Sequence, residues 1–536
     1  MLVRLQGMGL TRRSVLVTTF AAGLSARAGA QDATVPLLRI GAAAAVTSAD
    51  PLFYNYTPNI NLAAHVFERL VDRDPQARPR PGLAVSWDMV TPTEWEFRLR
   101  PGVLWHDGSP FTADDVAFTI ARVPNVPNSP GSYAAFVRSI TAVRVVDPLT
   151  LRLETRRPNP LLPRELGSIA IVSRHVGEGA STADYNGGRA AIGTGPYRLA
   201  SFSPNEGAEL VRNDAYWGGR APWARVTYRT VPNDAARVAA LLSGDVDVID
   251  QVPPADVARL GQDQRVVVSS IASFRSIYLA LDFSHEGDAP FVTAIDGTAL
   301  GRNPLRDLRV RRALSLAIGR AALTDRVMEG GAVANGQWLP QGAYSHDPTM
   351  PVPAQDVAEA RRLLSEAGYP NGFRITLFGP NDRYPGDARV VQAIGQMWTR
   401  AGVQTQVEVM PWSRYVTRSA RQEFPIWLLG WGNSTGEATS ALLNVVGSYD
   451  PANGRGGSNA GRYANPGLDA LTDRATATSD DGEREALLRQ AVRTAMDDVA
   501  IIPLFQLTAT WAMRKGLAHV PRMDERTAAV DVIPAS

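Results

Sequence analysis

A mixed pattern of strands and helices runs along the first half of this chain and starts again after residue 276. In the first block Leu37 to Ile40 is an apolar strand, and Ala49-Asp50-Pro51 breaks it. Ile60 to Val71 has helical periodicity, with Leu62, Val66 and Leu70 on one face. Trp95 to Leu99 alternates at period two, as a half-buried strand does. Asn233 to Leu242 is helical and Val246 to Ile249 a short strand. In the second block Tyr278 to Phe283 is a strand, Val310 to Val327 a long helix and Asp356 to Ala367 another. Arg374 to Phe378, Ala388 to Ala401 and Val403 to Val409 then form a β-α-β unit, with Gly402 closing its helix. A chain of 536 residues is too long for one ordinary core. Two successive α/β lobes are therefore expected, and the cleft between them is the default ligand site.

Composition narrows the chemistry. There is no cysteine, which excludes disulfides, thiolate metal sites, cysteine nucleophiles and a lipid-anchoring cysteine. Lys515 is the only lysine, so nearly all positive charge is arginine, scattered among acids rather than clustered as a nucleic-acid surface would need. The first thirty residues have the form of a cleaved export signal: Arg4, Arg12 and Arg13, a short apolar stretch from Val15 to Leu24, and Ala28-Gly29-Ala30 before Gln31. Thr11-Arg12-Arg13-Ser14-Val15-Leu16 resembles the twin-arginine motif. Removing residues 1–30 takes away four arginines and no acid, and turns a formal charge of +2 into −2.

Catalytic signatures fail where they are tried. The run Gly456-Gly457-Ser458-Asn459-Ala460 lacks the last glycine of a nucleophile elbow. There is no His-Glu-x-x-His, the six histidines are widely separated, and no Gly-Lys-Ser/Thr occurs. A non-enzyme without cofactor or bound metal is expected.

An ordered set of segments identifies a resemblance. Leu83-Ala84-Val85-Ser86-Trp87 is followed by Phe97-Arg98-Leu99-Arg100-Pro101-Gly102-Val103 and Trp105-His106-Asp107-Gly108-Ser109-Pro110-Phe111-Thr112-Ala113-Asp114-Asp115-Val116. Then come Gly193-Thr194-Gly195-Pro196-Tyr197, Arg212-Asn213-Asp214-Ala215-Tyr216-Trp217 and Val310-Arg311-Arg312-Ala313-Leu314-Ser315-Leu316-Ala317-Ile318. The series resembles the family 5 extracellular solute-binding proteins, which serve dipeptide, oligopeptide and nickel ABC importers. The resemblance implies an α/β, two-lobed periplasmic binding protein with an extra subdomain inserted in the first lobe and two hinge strands. Lobe I would span 31–276 with a C-terminal return over 505–536, and lobe II 277–504. The crossings would fall near Tyr278–Asp282 and Pro503–Leu507. The Trp105 to Val116 segment, His106 included, reads as a turn and helix cap rather than a ligand contact.

The resemblance also places the ligand. In peptide-binding relatives an aspartate after a Gly-Trp pair takes the ligand's amino group. Here Gly430-Trp431-Gly432-Asn433-Ser434-Thr435-Gly436-Glu437 puts Ser434 near that position, with Glu437 the nearest acid. Trp431, Gly432 and Asn433 would form a wall of the cleft. Arg383, in the loop after a strand, would hold a carboxylate with its guanidinium fork, and Tyr384 would stack beside it. Tyr133 and Tyr54, the latter in Tyr54-Asn55-Tyr56, are first-lobe candidates, and Asn459, Arg462 and Tyr463 lie in a Gly-rich loop able to cover the cleft. The implied role is a monomeric periplasmic protein delivering a small polar, peptide-like ligand to ABC permease and ATPase subunits. Binding of a non-peptide ligand such as a metal chelate, or a sensory role, is the alternative.

Overall fold

The computed structural model describes residues 36–433 and 435–535. The expected signal of residues 1–30 and Ser434 lie outside these described residues. Two long strands organise the rest. Val266–Leu281 and Ile502–Arg514 run antiparallel, and each belongs to both halves of one twelve-stranded sheet. On one side Ile502–Arg514 pairs with Val248–Ile249, which leads to Leu37–Ala42, Arg225–Thr230, Gly207–Arg212 and Tyr197–Ser203. On the other side Val266–Leu281 pairs with Ile426–Gly432, which leads to Arg374–Pro380, itself flanked by Gln404–Met410. These two halves are the sheets of the two lobes.

The two strands join different cores along their length. Trp511 and Met513 pack with Leu38, Ile40 and Tyr228 in the first lobe. Ile277, Leu279, Leu504 and Phe505 pack with Leu314, Leu377 and Trp398 in the second. The pairing between the strands slips between Ala272 and Ser276, just ahead of the second core. A β-bulge interrupts the ladder and raises local twist, and the register shifts a second time between Ile277 and Tyr278.

A separate four-stranded sheet, in the order Ala84–Thr91, Glu94–Leu99, Thr150–Thr155 and Ile140–Asp147, is inserted in the first lobe. Its corner is built as the motif suggests. Asp115 accepts hydrogen bonds from the backbone N–H of Thr112 (2.9 Å) and Arg174 (2.8 Å) and from the Trp105 indole (3.2 Å). His106 is buried between Gly193 and Gly195. Gly193 and Gly195 have no room for a side chain, because an added Cβ would collide with the Val66 carbonyl.

The expected helix from Val310 to Val327 is broken. It runs over Leu308–Leu316, stops, and resumes as Arg320–Ala322 and a wide turn over Leu323–Val327. Gln355 donates to the Ala317 carbonyl (2.9 Å) and so ends the first piece, and its side chain fills the space over Gly319. Arg320, buried, then donates to Ser315 and to the Pro503 carbonyl (2.8 Å), which ties the break to the second long strand. Burial pulls its guanidinium down to about 10.

Candidate functional site

The loop after Arg374–Pro380 is shaped from its far end. Asp387, at the start of helix Asp387–Ala401, accepts from the backbone N–H of Arg383 and Tyr384, both at 3.0 Å. That turn sends the two side chains different ways. Tyr384 is buried, and its hydroxyl accepts from the Gly430 N–H (2.9 Å), locking this loop to the strand Ile426–Gly432. Gly430 makes the contact possible, since a Cβ there would sit 2.7 Å from the tyrosine ring. Arg383 stays exposed, its guanidinium 5.4 Å from the Tyr384 ring centroid and 5.3 Å from that of Trp412. Among the described residues it has no ion-pair partner. A planar guanidinium laid on aromatic faces keeps its edge free for a carboxylate.

Lobe I contributes Tyr54 and Tyr56, both half-buried. Their rings stack at 4.9 Å and 16°. Desolvation pushes the Tyr56 hydroxyl up from its ordinary pKa, Tyr54 adds to that, and Arg383 opposes it. Arg383 of the second lobe is therefore within electrostatic reach of Tyr56 of the first. Tyr133, expected beside Tyr54, is corrected: it is 2% exposed. Its hydroxyl points at the Tyr54 carbonyl (3.5 Å), so it supports that corner from behind.

The Gly-Trp segment divides likewise. Trp431 is half-buried, against a cluster containing Tyr278 and Trp338. Its register partner is Ser276, and its indole N–H has no acceptor among the described residues. Gly432 is exposed, and Arg275 lies 3.3 Å from where its Cβ would be. Arg275 pairs with Glu525 at 3.3 Å, and this carboxylate raises the arginine's pKa. Asn433 is corrected from cleft wall to scaffold. It is buried, its amide donates to the Glu437 carbonyl (2.6 Å) and its own carbonyl oxygen accepts from Thr435 (3.2 Å).

Glu437 is corrected most sharply. It is fully buried and paired with Arg484, itself 1% exposed. Its carboxylate also accepts from Thr439 N–H (3.1 Å) and Thr439 Oγ1 (3.0 Å). A carboxylate so engaged is not free to meet a ligand's amine. Asn459 and Tyr463 are likewise occupied in holding their own loop together, with Asn459 bridging Gly447 and Tyr463. Arg462 lies flat over Tyr449 (3.7 Å).

Of the expected residues, Arg383 and Gly432 are exposed and Trp431, Tyr54 and Tyr56 half-buried, while Tyr384, expected to stack on the ligand, is buried against Gly430 and holds the loop instead. Arg275, Glu525 and Trp412 lie beside these residues without a local signature, since Arg275 and Glu525 are 250 positions apart. Such a surface can bind an acidic group and pack an apolar one. Among the described residues no three His, Asp or Glu side chains gather as a metal site.

Comparison with known proteins agrees with the geometry. The model for bacterial extracellular solute-binding proteins, family 5, matches residues 78–453. The chain is 28% identical over 465 residues to heme-binding protein A of Haemophilus influenzae, covering 82% of this chain and 81% of that protein. It is 26% identical over 463 residues to the dipeptide-binding protein of Escherichia coli, covering 81% and 82%. Its fold superposes on HbpA2 of Haemophilus parasuis with a TM-score of 0.81 and 24% identity, over 93% of this chain and all of that one. With the family model spanning most of its length and its fold matched across both lobes, the chain belongs to the family 5 bacterial extracellular solute-binding proteins.

Proposed function

We propose that the chain is the periplasmic binding component of an ABC importer and takes a small, carboxylate-bearing, peptide-like ligand between its lobes for delivery to the permease. The observation that carries this reading is Arg383, an exposed guanidinium beside the Tyr384 and Trp412 rings and within electrostatic reach of Tyr56 of the other lobe. Family membership supports a binding role rather than turnover, since the relatives are named for binding heme and dipeptides. Lobe I over 31–276 with the return of 505–536, and lobe II over 277–504, would close about the two long strands. Trp431 would pack an apolar part of the ligand.

The engagement of Glu437 with Arg484 favours a second form of the reading. A ligand without a free amine, such as an acidic chelate, loses nothing there. Native mass spectrometry of the purified protein identifies a co-purifying ligand, and calorimetry on parent and Arg383→Ala tests the clamp. Losing a charge-assisted hydrogen bond desolvated by closure costs about 2–5 kcal/mol of affinity. Parent-like binding by a folded Arg383→Ala protein would remove Arg383 from the site.

A further inference from the structure

The subdomain inserted in the first lobe touches the second lobe at three places. The Arg157 guanidinium donates to Asn453 Oδ1 (3.2 Å). The Arg164 guanidinium lies 4.7 Å from the Tyr344 ring centroid. The Ser479 hydroxyl donates to the Met89 sulfur (3.1 Å). Met89 is on the edge strand Ala84–Thr91 and Arg164 on the short helix Leu162–Leu166, while Arg157 lies in the turn between that helix and the strand Thr150–Thr155. None of the six residues lies on the long strands Val266–Leu281 and Ile502–Arg514. A rotation that parts the lobes about those strands therefore has to break these contacts.

Both sides of the contact are held in place. Arg157 and Arg164 flank Asn159, whose Oδ1 accepts from the Leu161 N–H (3.0 Å) and whose amide donates to Ser139 Oγ (3.0 Å) and Glu165 (2.8 Å). The Asn159 carbonyl accepts from the Trp95 indole (3.0 Å), and the Arg164 carbonyl from Arg73 (2.9 Å). The two arginines thus stand on a turn pinned to the subdomain. On the other side Asn453 donates its amide to Asp450 (2.6 Å), which leaves its Oδ1 toward Arg157. Tyr344 donates its hydroxyl to the Asp481 carbonyl (2.7 Å), and this fixes the ring on which Arg164 rests. Arg157, Asn453 and Ser479 are exposed, so water competes for their hydrogen bonds. Contacts of this kind bias a two-state equilibrium without locking it.

We propose that the inserted subdomain is an interlobe clasp, which through Arg157, Arg164 and Met89 holds a fraction of the ligand-free protein closed. The clasp uses none of the candidate cleft residues, so it goes beyond the binding reading and does not depend on what the ligand is. The test uses the mature chain freed of small molecules by dialysis and checked by native mass spectrometry, with nitroxides on Val146→Cys in the subdomain and Val416→Cys in the second lobe. Pulsed electron paramagnetic resonance on this parent is expected to resolve a shorter and a longer interlobe distance. Adding Arg157→Ala and Arg164→Ala lowers the ratio of short to long about fivefold or more, the range that one hydrogen bond and one cation–π contact cover. An unchanged ratio in a folded variant, or a parent showing the long distance alone, overturns the clasp. If that variant does not fold, the contact is read on Met89→Cys with Ser479→Cys. A short bismaleimide then cross-links the ligand-free chain, and adding Arg157→Ala slows the reaction about twofold or more. No cross-link, or an unslowed one, overturns the clasp. A co-purifying ligand that fails to shorten the distance in either protein counts against the interlobe binding reading and leaves the clasp standing.

Discussion

Removing the Glu437 carboxylate separates a structural from a ligand-binding role. Glu437 and Arg484 are 0% and 1% exposed in their side chains, so neither charge has water to fall back on. In Glu437→Ala the guanidinium keeps only Tyr344 and Thr439, each at 3.4 Å, as polar contacts. It also shares the Tyr344 ring with Arg164, which lies 4.7 Å from the ring centroid. Leaving one member of a buried pair uncompensated costs about 3–5 kcal/mol, whereas replacing both by apolar residues of similar volume is near neutral or stabilising. Glu437→Ala is therefore expected to lower stability by that amount, and Glu437→Leu with Arg484→Met to restore most of it. The assay is a double-mutant cycle by urea denaturation, read as the shift in midpoint at constant slope. A Glu437→Ala protein within about 1 kcal/mol of the parent, with ligand affinity lost, would refute the reasoning and return Glu437 to the cleft.

Further outcomes follow from the same structure. His65 is fully buried as the neutral ring: Nδ1–H donates to the Asn61 carbonyl (2.8 Å) and Nε2 accepts from Ala529 N–H (2.9 Å). Burial pulls its pKa from 6.5 to about 4. The unfolded chain therefore takes up the proton first, and stability falls as pH drops from about 6.5 to 4, by about 3 kcal/mol in all; His65→Gln should flatten that limb of a melting-temperature profile, and an unchanged limb would contradict it. Glu68, half-buried and accepting from the Tyr216 hydroxyl and the Trp217 indole, has the opposite sign. Desolvation raises it to about 7, so the folded protein holds its proton longer and stability falls as pH rises from about 4.5 to 7; Glu68→Gln should gain on the parent over that window. Gly430→Ala would drive a Cβ to within 2.7 Å of the Tyr384 ring and 2.8 Å of Ile277; an overpacking cost of about 1–3 kcal/mol is expected together with weaker ligand binding, as Tyr384 and Arg383 shift, and an unaltered melt with unaltered affinity would refute the coupling.

Local pattern carried much of the fold. The cap and turn of the Trp105 to Val116 corner and the strand near Tyr278 are set by residues close in sequence, through cap, turn and period. The broken helix was not legible, because apolar periodicity continues past Gly319 while the residue that ends the first piece, Gln355, comes from 38 positions away. The site was half legible for the same reason. Arg383 and Trp431 could be found from the strands their loops follow, since strand ends open onto clefts. The fate of Glu437 could not, because it is decided by Arg484, 47 positions on in a helix whose own pattern is ordinary.

The central claim, that ligand draws the two lobes together, is open to direct measurement because the chain has no cysteine. Cysteines at Val146 in the inserted subdomain and Val416 in the second lobe, 49% and 40% exposed, can each carry a nitroxide without disturbing a core. Pulsed electron paramagnetic resonance then reports the distance between the lobes with and without the co-purifying ligand. The account predicts a shorter and narrower distance distribution on binding. A distribution unchanged at saturation, with occupancy confirmed by native mass spectrometry on the same sample, would contradict it.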